Sequence, residues 1–178
     1  MPEPAAPFLP AWSSFYVIAG SSGAALTGLM FVVITLVRGE EQTQVRHDGI
    51  ATFSTPTVLH FCAALLVSAI LCAPWRSLVY VAVIVGLVGC YGILYLARVA
   101  RRAKRLTRYT ADLDDWMWYT ILPLLAYGAL LAGAVALNAV PRDALFALAG
   151  GVLSLIFIGI RNSWDVVTFL ATGSDKES

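Results

Sequence analysis

The sequence predicts an all-α fold: a polytopic membrane helix bundle with five transmembrane helices, N-terminus outside and C-terminus inside. Three observations carry this. Apolar residue types make up 59% of the 178 residues and charged types only 13%, against about 25% charge in a soluble domain. The apolar residues fall into five runs near the roughly 20 residues that a helix needs to cross a bilayer. The basic residues collect on one side of those runs. Such a composition argues against a soluble enzyme, a secreted disulfide scaffold and a DNA-binding module, and the whole chain reads as one transmembrane domain.

The first helix is expected over 13–37. It follows a proline-rich leader, and no basic residue precedes Arg38, so it reads as an uncleaved first span and not as a removable signal. The second is expected over 56–75, opening at Pro56, where a missing N–H costs nothing. The third, 77–97, follows a tight turn through Pro74, Trp75 and Arg76. The fourth, 116–138, carries Pro123 about two turns in, where loss of a backbone bond predicts a kink. The fifth, 144–161, follows Pro141, Arg142 and Asp143. Each run reads as helix because backbone groups in lipid must bond within the segment, and none alternates in the manner of a strand.

Five crossings place the loops 38–55 and 98–115 and the tail 162–178 on one side. With the end of the last helix, that side holds Arg38, Arg46, Arg98, Arg101, Arg102, Lys104, Arg105, Arg108, Arg161 and Lys176; the other holds Arg76 and Arg142. The positive-inside rule makes the basic side cytoplasmic, which predicts a multi-pass protein of a bacterial inner membrane. Trp12 and Trp75 then fall at the outer boundary, and Trp116, Trp118 and Trp164 at the inner one, where an apolar ring with a polar N–H is favoured. Arg101, Arg102, Lys104, Arg105 and Arg108 are expected to meet anionic lipid headgroups, at roughly 1 kcal/mol per charge. Nucleic-acid binding is not implied.

Lipid tails do not drive helices together, so small residues that allow close packing must do so. They recur on helix 1 (Gly20, Ala24, Gly28), helix 3 (Gly86, Gly89, Gly92), helix 4 (Gly128, Ala132, Ala136) and helix 5 (Ala147, Gly151). This exceeds what a monomeric bundle requires and predicts a homo-oligomer; internal packing alone is the alternative. Helix 3 is expected to lie antiparallel to helix 2 through their tight hairpin.

Several residues are candidates for function. Ser14, Ser21, Gly28 and Thr35 recur every seven positions on helix 1, and Ala24 and Thr27 broaden them into one polar face at 100° per residue. That face either borders a water-filled path between subunits or packs, its hydroxyls bonding across an interface or back to the backbone. His60 lies inside an apolar run, as a proton-relay or gating group or as a packed, hydrogen-bonded histidine. Tyr91 and Tyr95 of helix 3 are expected at its depth, able to supply a hydroxyl. Arg161, Asn162 and Asp165 end the fifth crossing; Arg161 and Asp165 are four apart and can pair on one helix face, and the cluster reads as an inner gate, a lipid-headgroup site or an interfacial anchor. The three cysteines are isolated, with Cys62 and Cys90 at matching depth, and read as small hydrophobes. No metal, cofactor or disulfide framework is expected.

Gly20-Ser21-Ser22-Gly23 resembles the GxSG nucleophile motif of rhomboid intramembrane serine proteases. The resemblance implies a Ser–His dyad, here Ser22 with His60. Depth opposes it: in a ~30 Å core the two stand roughly 10 Å apart along the membrane normal, where a dyad requires ~3 Å. A protease is therefore the remotest reading, and no enzyme is expected. More widely, Thr27-Gly28-Leu29-Met30-Phe31-Val32-Val33 together with Asn162-Ser163-Trp164 is similar to a group of small bacterial polytopic membrane proteins of unknown function. That implies a membrane location and no mechanism. Two functional classes follow: a small-ion or proton permeation pathway, or a non-conducting accessory protein that binds a partner through its cytoplasmic loops.

Overall fold

The computed structural model describes residues 8–39, 44–103 and 116–173. Five α-helices account for nearly all of them: α1 (Leu9–Gly39), α2 (Gln44–Cys72), α3 (Leu78–Ala103), α4 (Leu122–Ala136) and α5 (Pro141–Gly173), with a π-helical turn at Met117–Ile121 leading into α4.

Four of these helices outrun the ranges expected from the apolar runs. An apolar run marks what suits hydrocarbon; the hydrogen-bonded helix continues past it into polar flanks. Thus α1 spans more than 13–37, and α3 carries on through Arg98 and Arg101. Residues 44–55, expected as loop, are helical, so Pro56 stands inside α2 and does not open it. α5 runs on to Gly173, not to 161, and begins with Pro141, whose fixed φ suits a first helical position. Pro123 sits two turns into the helical span that opens at Trp116, as expected, and the irregularity beside it is a π-helical turn. The proline falls in the first turn of α4, directly after the π-helical turn, where Leu122 N–H bonds Met117 O across five residues. The wider turn shifts the bonding register where proline has no N–H to offer.

The packing order departs from chain order. α1 packs on α2 and α5, α2 packs on α5, α5 packs on α4, and α4 packs on α3. The expected pairing of α2 with α3 is slight. Two short turns, 73–77 and 137–140, lie at one end of the bundle beside the start of α1, here the turn end. The Trp75 indole N–H donates to Ile70 O there, and Val140 N–H bonds Ala136 O at 2.9 Å, so carbonyls left over at the ends of α2 and α4 are satisfied. The opposite end, where α1, α3 and α5 finish, is the basic end.

Four helices contain stretches long and apolar enough to cross a membrane: Leu9–Thr35, Leu78–Arg101, Met117–Ala136 and Pro141–Asp165. The fifth, α2, has a shorter apolar stretch, Pro56–Cys72. That stretch buries Phe61, Ala64, Val67 and Leu71 together with Thr57, His60 and Ser68. A helix screened by its neighbours need not be apolar over the full membrane width. The exterior is greasy instead: Ile18, Leu29 and Phe31 of α1, Leu87 and Leu94 of α3, Leu125 and Val135 of α4, and Phe146 and Phe157 of α5 are exposed. Apolar residues spread over the outer faces of four helices exceed the patches that soluble monomers show and suit hydrocarbon.

Candidate functional site

Glycines set how closely the helices approach. A Cβ on Gly159 of α5 would overlap the Phe61 ring of α2, and one on Gly92 of α3 would overlap the Tyr127 ring of α4. Between α4 and α5, a Cβ on Gly133 would lie 2.8 Å from Leu148, and one on Gly151 would lie 3.0 Å from the Ala126 carbonyl. Each contact holds because no side chain stands in the way. Gly133 and Gly151 hold α4 on α5 from the turn end to mid-bundle, and Gly159 on Phe61 closes α2 on α5 nearer the basic end, so that α2, α4 and α5 meet in one junction.

His60 points into that junction. It is 0% exposed, and its Nδ1 is 3.1 Å from the Tyr127 hydroxyl. Tyr127 is itself buried, its ring held against Gly92. Either tautomer satisfies the bond: Tyr127 donates to a bare Nδ1, or a protonated Nδ1 donates to the phenolic oxygen. The hydroxyl was expected from Tyr91 or Tyr95. Tyr91 is instead exposed on the outer surface of α3 and stacks on Tyr95 with ring centroids 6.4 Å apart. α3 turns its glycine face towards α4, which leaves Tyr91 on the outer surface.

Asn162 of α5 is likewise 0% exposed. Its amide oxygen and nitrogen, and the Nε2 of His60, have no hydrogen-bond partner. Leaving a buried donor or acceptor unpaired costs about 1–3 kcal/mol. Nearby, Ser163 donates to Gly159 O at 2.8 Å and reaches the Met30 sulfur of α1 at 3.2 Å. Sequence reasoning did not single out Tyr127, and it placed Asn162 only with Arg161 and Asp165 in the cluster at the end of the last crossing, not with His60. The available signal was a hydroxyl or amide inside an apolar run, at a depth comparable with His60.

The polar face of α1 divides in two. Gly20 lies beneath Ser68 of α2, Gly23 packs on the Phe61 carbonyl, and Thr27 donates to Gly23 O at 2.8 Å while lying 4.0 Å from the Cys62 sulfur. These residues join α1 to α2. Ser14, Ser21, Ala24, Gly28 and Thr35 face outward; Thr35 donates to Val32 O at 2.8 Å, and a Cβ on Gly28 would meet nothing. One face was expected, but neighbours such as Thr27 and Gly28 stand about 100° apart, enough to put one inside and the other out. Ser22 donates to Ile18 O at 2.9 Å while His60 bonds Tyr127, so the structure does not bring the two together as a dyad.

At the basic end, Arg161 pairs with Asp165, and its guanidinium lies 5.5 Å from the centre of the Trp118 ring. Both charged side chains are half-buried. Arg101 is exposed on α3, its Nε–H donating to Ala97 O at 3.0 Å. The side chain of Arg102, and Lys104, Arg105 and Arg108 entirely, lie outside the described residues. The three cysteines are free, with Cys72 and Cys90 exposed. Among the described residues no group of three or more His, Cys, Asp or Glu side chains stands close enough to hold a metal ion.

The long apolar helices and apolar exterior are compatible with an integral membrane protein, an all-helical bundle with a small polar junction near one end. Comparison with protein-family models, with curated proteins and with solved structures finds no match to this chain.

Proposed function

We propose that this is a five-crossing protein of a bacterial inner membrane, basic end in the cytoplasm, that lets protons, or more broadly a small ion, pass through the bundle. The observation that carries this reading is the fully buried His60, bonded to Tyr127 inside a bundle with an apolar exterior. An ionisable residue held within a membrane segment is a functional group by default, and a His–Tyr pair suits proton transfer better than cation binding. The route follows the α2–α4–α5 junction. A route between subunits lined by α1 and gated by His60 is set aside, since the outward residues of α1 and His60 face different spaces. On the turn side of His60 the junction is filled by buried Leu130, Leu148 and Leu155. Apolar constrictions close a path by excluding water, so the proposed resting state is shut.

That leucine filling, together with the outward small and hydroxyl residues of α1, favours a second reading: a homo-oligomeric or partner-binding accessory protein that conducts nothing. Proton flux into liposomes holding the purified protein separates the two, measured at pH 5.5 and 7.5, on either side of the ordinary imidazole range. Flux that requires the protein and falls in His60→Ala and Tyr127→Phe supports permeation. Absence of flux at both pH values retires it. Recovery of one stoichiometric membrane partner then supports the accessory role.

A further inference from the structure

Among the described residues, Nε2 of His60 and both amide atoms of Asn162 are fully enclosed and unpaired. The helix geometry aims them at the same space. On α5, Gly151 meets Leu130 and Ala126 of α4, and Gly159 meets Phe61 of α2. At 100° per residue, Asn162 heads about 20° from the Gly151 direction and about 60° from the Gly159 direction. It therefore points between α4 and α2. His60, beside Phe61 on α2, points to α4 through its bond to Tyr127. Side chains on a helix lean towards its N-terminus. Because α2 and α5 run antiparallel, His60 leans to the basic end and Asn162 to the turn end, so the two converge in depth.

We propose that His60 and Asn162 form a binding site for one small neutral molecule that both donates and accepts hydrogen bonds, namely water, with Tyr127 as the residue that orients the imidazole. The chemistry selects the class. Asn162 presents one donor and one acceptor, and Nε2 presents whichever role the tautomer set by Tyr127 leaves. Water matches either tautomer and uses the two to four polar partners that a buried water requires. A bare cation would lack an anionic ligand, because the nearby carboxylate of Asp165 is paired with Arg161. An anion would lack a free positive charge for the same reason. Ser68 is not part of the site: it sits eight residues along α2, about 12 Å away, beneath Gly20.

This goes beyond conduction and is tested without it. The chain has two histidines, so His47→Gln leaves His60 as the sole ring label. The protein, labelled with 15N-histidine and reconstituted in bilayers, is studied by solid-state NMR with polarisation transferred from water protons. Transfer to the ring nitrogen remote from Tyr127 is expected in the parent. It should persist in Asn162→Ser, which keeps a donor and acceptor, and vanish in Asn162→Leu. A nitrogen resonance typical of an unbonded ring with no transfer from water overturns the proposal in the parent protein itself, whether or not the variants fold. Direct coupling between the His60 ring and the Asn162 amide overturns it too, as does transfer unchanged in Asn162→Leu. Water transfer in a protein that shows no flux leaves this site standing and retires only the conduction reading.

Discussion

The α2–α3 and α4–α5 hairpins are built alike and pack differently. Each joins two long helices through a short turn at the same end of the bundle, 73–77 in one and 137–140 in the other. α4 and α5 lie tightly together, with Gly133 under Leu148 and Gly151 against Leu130 and the Ala126 carbonyl. α2 and α3 barely touch. The enclosed part of α2, from Pro56 to Cys72, contains no glycine, and α3 turns its own glycines to Leu131 and Tyr127 of α4. A short connection keeps two helices near each other at one end only. What makes them neighbours along their length is a small residue opposite a large one, since lipid offers no hydrophobic drive to close the gap.

The sharpest way to break this comparison is a crosslink, where the expected difference is close to all or none. A Cβ on Gly86 would lie 3.7 Å from that of Ala134, near the separation that a disulfide prefers. With the native cysteines replaced by alanine, Gly86→Cys with Ala134→Cys should therefore oxidise almost completely, joining α3 to α4. The native Cys62 and Cys90, matched in depth on α2 and α3, should not join under the same oxidant, because Cys62 faces Thr27 and Cys90 lies exposed. A Cys62–Cys90 bond on a non-reducing gel with peptide mapping would reverse the packing order.

Next in size is Gly92→Ala. The added methyl overlaps the Tyr127 ring, and overpacking of this kind costs about 1–3 kcal/mol. A clear drop in the detergent melting temperature is expected, while Gly86→Ala, in ordinary contact range, should melt close to the parent. Equal melting of the two would mean that α3 is not seated on α4 through Gly92.

Smaller again is Tyr127→Phe, which strips the hydroxyl from His60 Nδ1 and should cost about 1 kcal/mol. In a His60→Leu background the same change should cost less, since the pair no longer exists; additive melting shifts would deny the coupling. The smallest effect belongs to the outward face of α1. Gly28→Ala meets nothing within the bundle and should change monomer stability by no more than about 0.5 kcal/mol. Native mass spectrometry of that variant shows whether this face joins subunits: a lost oligomer makes it an interface, and an unchanged mass leaves it to lipid.

Much of this protein was legible before its structure. The apolar runs locate all five helices, because membrane width sets a length and lipid demands internal backbone bonding. The i,i+4 spacing of Arg161 and Asp165 foretells their pairing, because helix geometry alone places them on one face. Helix ends were less legible: nothing in the apolar pattern stops α2 at Pro56 or α3 at Ala97, since helical bonding carries on into polar residues. The partner of His60 was legible in kind, as a tyrosine hydroxyl, but not in identity. Reading down the chain makes α3 the neighbour of α2 and nominates Tyr91 and Tyr95, whereas close packing at Gly92 and Gly159 seats Tyr127 and Phe61 so that Tyr127 of α4 meets His60. The sequence by itself thus determined the helices, their apolar character and the local pairs, all of which depend on residues a few positions apart. Only the tertiary structure decided which helices meet and which polar atoms are sealed among them, because that depends on how small and bulky residues from distant segments fit together.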